Sequence, residues 1–230
     1  MIEELVIDNI SIFLTRKNIK NMYLRVKPPN GEVHLSAPIY LSDENIVEFL
    51  KSKKEWIIQK QKYICNNNIE APLKYIDGET HYLWGEKYIL KLIPNNKLKN
   101  TTHNKNKQEI YLPVPKKSNI EKREKILMEF YKNQVKKAIP KILNKYTEKI
   151  KQKPVKVNVR KMKNWGNCKK NRTITLNTKL AKKDPICLEY VIIHELCHLI
   201  EFNHSKNFKK LLEKHCPNWK KIEKKLNEKD

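Results

Sequence analysis

Residues 186–200 read Ile-Cys-Leu-Glu-Tyr-Val-Ile-Ile-His-Glu-Leu-Cys-His-Leu-Ile. The chain around them is polar, with a mean hydropathy of −0.74. This run is almost wholly apolar, and its polar members are Glu189, His194, Glu195 and His198. Buried polar groups are costly unless they are paired or bound to metal. Three of the four form His-Glu-x-x-His, and that spacing supplies a reason for them. On a helix, residues i and i+4 share a face, so His194 and His198 stand together. Glu195 lies about 60° around the helix from His198. Two imidazoles can hold a zinc ion while the carboxylate reaches a water beside it. With 7 histidines in 230 residues, random placement yields roughly 0.02 such motifs.

A third histidine, His204, follows six residues after His198. A continuous helix would carry it about 9 Å further along the axis, out of reach of a shared metal. The chain is therefore expected to leave the helix between Ile200 and His204 and fold back. Asn203 is the expected left-handed stop. Ser205 is the expected N-cap of a next helix with Phe208, Leu211 and Leu212 on its core face. Glu201 is the runner-up third ligand and His215 a distant third. Three imidazoles leave one tetrahedral position for water, with Glu195 as general base.

Upstream, Asp184 and Pro185 mark the start of the motif helix. Residues 155–159 and 173–176 alternate as strands around a turn at 165–168. Thr173–Leu176 is the candidate edge strand for an extended substrate. Residues 119–150 carry a long helical pattern that Pro140 should kink or divide. Earlier still, residues 3–37 read as an antiparallel meander, 42–63 as one helix capped by Ser42, and 79–93 as a hairpin. Residues 94–107 read as a loop and 109–114 as a strand. No internal repeat is evident. The expected fold class is α+β: a β-rich region over 1–115 with one helix at about 42–63, then a domain over 116–230 built on the motif helix and a small sheet.

The formal net charge is +24, yet only five of the 49 basic residues are arginine. Bidentate phosphate recognition favours arginine, so the charge reads first as solvated surface. No nucleic-acid-binding module is recognisable. The five cysteines are scattered and never form C-x-x-C, which points to reduced thiols and a cytoplasmic protein. No secretory signal and no membrane span is expected.

The sequence resembles the YgjP-like metallopeptidase family, related to SprT-like and wider zincin metallopeptidases. The resemblance rests on Trp165-Gly166-Asn167-Cys168, on Thr175-Leu176-Asn177 and on Tyr190 to Leu199. It extends through Asn203-His204-Ser205, Phe208 and Pro217-Asn218-Trp219. It implies a zincin-like core, a zinc ion (or another divalent metal) held by His194, His198 and His204, and a catalytic Glu195. The family usually has Arg before Trp165, where this chain has Asn164; Asn167 replaces the usual Ser. Two reactions fit such a site. The first is peptide hydrolysis. The alternative is hydrolysis of a nucleoside triphosphate such as UTP, for which Arg160, Lys161, Lys163 and Lys170 beside Trp165 would supply cations. A third reading is a basic nucleic-acid-associated protein with a structural zinc. The residues expected to face substrate are Arg160, Lys163, Trp165 and Lys170.

Overall fold

Two short polar residues set the first fold-determining turn. Strands β1 (Ile2–Ile7) and β2 (Ile10–Lys17) pair antiparallel across Asp8 and Asn9. Both turn residues have positive φ, 49° and 64°, as a tight hairpin turn that follows strand twist requires. The structure, a computed structural model, describes residues 2–67, 71–94 and 97–228. It divides into two compact units, Met1–Leu73 and Lys74–Asp230. The division expected at 115/116 falls inside the second.

In the first unit, β3 (Tyr23–Lys27) and β4 (Glu32–Pro38) form another hairpin. The sheet order is β1-β2-β4-β3, with β2 and β4 parallel. The simple meander is thus corrected. Burial explains the swap. Ile12 and Leu14 of β2 and Val33, Leu35 and Ala37 of β4 are fully buried. Glu3 and Glu4 of β1, and Tyr23 and Arg25 of β3, are exposed. The two apolar strands take the centre and the charged ones the edges, where charge also blocks unwanted pairing. Two helices, α1 (Asp43–Ser52) and α2 (Lys54–Asn66), cover this sheet with Ile46, Leu50 and Ile57. The single helix expected over 42–63 is interrupted at Lys53, whose dihedrals (φ −103°, ψ 3°) are not helical. Ser42 caps α1 as expected, accepting from the Asn45 amide at 3.4 Å.

The second unit repeats the plan. Strands β5 (Thr80–Leu83), β6 (Glu86–Pro94), β7 (Thr102–Asn104) and β8 (Glu109–Val114) form a sheet of order β5-β6-β8-β7. Again the inner pair, β6 and β8, is parallel. One four-strand topology therefore occurs twice, although no sequence repeat announces it: strand order depends on which residues are buried, not on their identities. Of the loop expected over 94–107, residues 95 and 96 lie outside the described residues, and Thr102–Asn104 is a strand.

Helix α3 (Ile120–Ile150) follows, capped by Asn119. It runs past Pro140 without division. Pro140 is exposed, so water can serve the carbonyl that its missing amide leaves unpaired. A third sheet holds β9 (Lys156–Arg160), β10 (Gly166–Cys168) and β11 (Thr173–Asn177) in the order β10-β11-β9. This corrects another expectation. Thr173–Leu176 lies in the central strand, hydrogen-bonded on both sides, and cannot accept a further strand. The edges belong to β10 and β9, and of the two it is β10 whose residues line the cavity described below.

A short 3₁₀ turn, Thr178–Lys182, leads into α4 (Pro185–Cys197), which is followed by α5 (Lys206–His215) and α6 (Trp219–Asn227). Helix α4 packs against α3, α5, α6, β10 and β11. Being enclosed, it is apolar on nearly every side, which accounts for the composition of 186–200. The architecture is α+β. No described helix is long and apolar enough to cross a membrane.

Candidate metal centre

The motif helix begins as its sequence dictates. Asp184 accepts from the Ile186 amide at 3.0 Å, with Pro185 at the first helical position. The helix ends at Cys197, and His198 is its C-cap with right-handed dihedrals. The chain then tightens: Leu199 and Ile200 donate to the carbonyls of Leu196 and Cys197, each at 3.0 Å. Such i→i+3 bonds satisfy end carbonyls that a left-handed cap would otherwise serve. The stop at Asn203 is thereby corrected. Asn203 has no positive φ, because the helix has already ended at Cys197. The reversal itself is present. Ser205 accepts from the Phe208 amide at 3.2 Å and caps α5, which returns His204 to the end of α4.

The result is a convergence of three imidazoles. His194 Nε2 lies 3.1 Å from His204 Nε2 and 3.2 Å from His198 Nε2. Two donors bound tetrahedrally at zinc distances lie roughly 3.3 Å apart, so the spacing fits one ion. Among the described residues this is the one His, Cys, Asp or Glu cluster of metal-ligand geometry. Neither Glu201 nor His215 belongs to it. The ring states fit as well. His198 Nδ1 donates to the Glu201 carbonyl at 3.1 Å, which leaves Nε2 as the lone-pair nitrogen. Burial, then the neighbouring His198 and His204, holds His194 down to about 3. Burial likewise lowers His198. Neutral imidazole is the form that binds metal.

Phe208, only 1% exposed, is the floor of this cluster. Its ring stacks on His198 at 4.5 Å and meets the edges of His204 and His194 at 4.8 and 5.0 Å. The sequence marked Phe208 as a core position of α5; that it orients all three imidazoles emerges only from the fold.

Glu195 is 4% exposed, and its Oε2 has no hydrogen-bond partner among the described residues. Burial pushes its carboxyl up to about 8. A carboxylate placed so is a proton acceptor and donor near neutrality, and a dication in the histidine cluster would stabilise its ionised form. Gly166 on β10 explains how it fits. A Cβ there would overlap Glu195 Oε1 and come within 2.8 Å of Val191 Cγ1 and 2.9 Å of Glu195 Cδ. Only glycine lets the strand approach α4 this closely.

Opposite the histidines, a cavity of about 380 Å³ is lined by all three residues of β10, by Trp165 and by Glu223 and Asn227 of α6. Trp165 Nε1 donates to Asn227 Oδ1 at 3.0 Å. Of the residues expected to face substrate, Trp165 lines this cavity; Arg160, Lys163 and Lys170 do not. Lys161 pairs with Glu124 at 2.8 Å. Cys197 is fully buried and stands outside the histidine cluster. Cys168 lines the cavity, but burial raises its thiol to about 11, so it stays protonated.

A comparison with curated proteins finds no match. Among solved structures, the crystal structure of the metallopeptidase zymogen of Pyrococcus abyssi abylysin is 32% identical over 37% of this chain and 88% of that chain. Its TM-score of 0.35 is too low to bear on the fold. The YgjP-like metallopeptidase domain, in contrast, matches residues 20–229, which takes in every element of the second unit and the whole histidine site. The chain therefore belongs to the YgjP-like metallopeptidase family.

Proposed function

We propose that this protein is a zinc-dependent peptidase of the His-Glu-x-x-His type, with a zincin-like hydrolytic centre in the part of the chain from 116 to 230. His194, His198 and His204 hold the metal and Glu195 is the general base. The observation that carries the reading is the convergence of three imidazoles at about one ion's ligand spacing, next to a buried carboxylate. Bound there, zinc would acidify a water and polarise the substrate carbonyl. The remaining steps belong to the protein. Glu195 takes the proton of the attacking water on a carboxylate oxygen and passes it to the leaving amine nitrogen. Gly166 keeps that carboxylate against β10. The free edge of β10, whose three residues line the cavity, is where an extended peptide would add as a further strand.

The charge of the cavity favours peptide over nucleoside triphosphate. None of the described residues lining it is Lys or Arg, whereas a triphosphate calls for convergent cations. The five cysteines are free, which fits a reducing compartment such as the cytoplasm. The test is the metal-loaded protein assayed on unfolded protein and on UTP, beside Glu195→Gln. Proteolysis that requires Glu195 is the expected result. UTP turnover without proteolysis would sink the peptidase reading.

A further inference from the structure

Lys and Arg make up 49 of the 230 residues, yet the charged side chains lining the cavity, apart from histidine, are two carboxylates, Glu195 and Glu223. Glu195 is turned onto Gly166 and assigned to proton transfer. Glu223 has no such task. It projects from α6, and its Oε1 accepts from the Tyr190 hydroxyl at 3.2 Å. Tyr190 stands one helical turn before His194 on α4, their ring centroids 5.8 Å apart. One buried phenol thus fixes the Glu223 carboxylate close to the histidine cluster. That bond occupies one of about four lone-pair sites, and Tyr190 is its one side-chain partner among the described residues.

A half-buried carboxylate in a cavity with no Lys or Arg among its described lining residues attracts cations more strongly than one on the lysine-rich surface, where neighbouring charges and solvent screen it. The same cavity offers the aromatic ring of Phe202, against which the aliphatic stem of Lys or Arg can lie while its charge reaches the acid; the Trp165 ring already has the Lys183 ammonium 5.8 Å from its centroid. Resting on the peptidase reading, the geometry points to Glu223 as a specificity residue. It selects peptides that carry a cation beside the cleaved bond, either a Lys or Arg side chain or a free amino terminus.

The test uses the full-length, zinc-loaded protein. Its substrates are N-acetylated fluorogenic peptides identical except for Lys, norleucine or Glu at the residues flanking the bond. A second set carries a free amino terminus at that place. The wild type is expected to favour the cationic peptide over norleucine by about tenfold in kcat/KM, the order that a hydrogen bond to a charged partner supplies. Glu is expected to be the poorest. Glu223→Gln should erase the preference for the cation, and Glu223→Lys should invert it toward Glu, with zinc content unchanged in both. A preference confined to the acetylated Lys peptides assigns the side chain, and one confined to the second set assigns the terminal amine. Equal cleavage of all peptides by the wild type, or a preference that survives Glu223→Gln, would overturn this inference and leave the peptidase reading standing. Failure to cleave any peptide would overturn both. The Gln variant is isosteric, so it decides the question alone if the Lys variant does not fold.

Discussion

The cavity has two walls built on opposite principles. The histidine wall is a single continuous stretch, from Tyr190 to Phe208, folded back on itself. Glu195 is buried and His194 and His198 are half-buried, and Phe208 packs against all three rings. The facing wall is assembled from segments far apart in the chain. Trp165 and Asn227, 62 residues apart, are joined by one exposed hydrogen bond, and Glu223 meets Tyr190 across 33 residues. The first wall is held by packing, where losing one group costs most. The second is held by single polar contacts, one exposed and one partly buried, each of modest net strength. The difference separates the task of each wall: the rigid one fits the chemistry, and the lightly held one fits the choice of substrate.

Mutations on the two walls should therefore differ in kind as well as in size. The largest effect is expected from Glu195→Gln, which keeps shape and hydrogen-bonding reach but cannot take a proton. It should lower kcat by about 10²–10⁴ while bound zinc, measured per chain, stays at the wild-type level. Activity equal to the wild type would remove Glu195 from the reaction. Gly166→Ala comes next and tests the seam between the walls. The added methyl must displace the Glu195 carboxylate or push β10 away from Val191. Overpacking of this kind costs about 1–3 kcal/mol, and misplacing the base should lower kcat by roughly 10². Thermal melting and steady-state kinetics on one preparation would read both. An unchanged kcat would show that Glu195 does not depend on the close approach of β10.

The same contrast governs how much of the molecule was legible in its sequence. His194, Glu195, His198, the reversal, the Ser205 cap and His204 all lie within a dozen residues. Helical spacing and capping chemistry act over just that range. Asn203 misled because it is a good stop residue in isolation, whereas the helix ended earlier through its own carbonyls. Strand order was not legible. Whether β11 or β10 holds the edge depends on pairings between segments, and the strand with the stronger β pattern, Thr173–Leu176, is the one that was buried in the middle. Gly166 was readable as a turn residue, but its steric role needs Glu195 in view. Arg160, Lys163 and Lys170 share only positive charge and nearness in sequence to Trp165. Arg160 ends β9, Lys163 lies in the segment between β9 and β10 and Lys170 in the turn after β10, and none of the three lines the cavity. The repeated four-strand topology escaped for the related reason that burial pattern, not residue identity, is what the two sheets share.

Two smaller changes sharpen the comparison. Ser205→Ala removes the cap that returns His204 to the end of α4. Loss of such a cap costs about 1 kcal/mol, and it should appear as a several-fold weaker zinc affinity in chelator competition, with kcat at saturating zinc unchanged. A fall in kcat of the size seen for Glu195→Gln would mean that the reversal does more than deliver a ligand. The smallest effect is expected on the facing wall. Trp165→Phe keeps the aromatic surface but deletes the indole N–H that Asn227 accepts. A neutral hydrogen bond near solvent contributes about 0.5–1.5 kcal/mol, so kcat/KM on a peptide should fall only a few-fold, through KM and not kcat. Asn227→Ala should do the same, and the double variant should be no worse than either single one, because the two residues act through one contact. Additive losses would show that Trp165 and Asn227 touch substrate independently, and the facing wall would then be two binding elements instead of one.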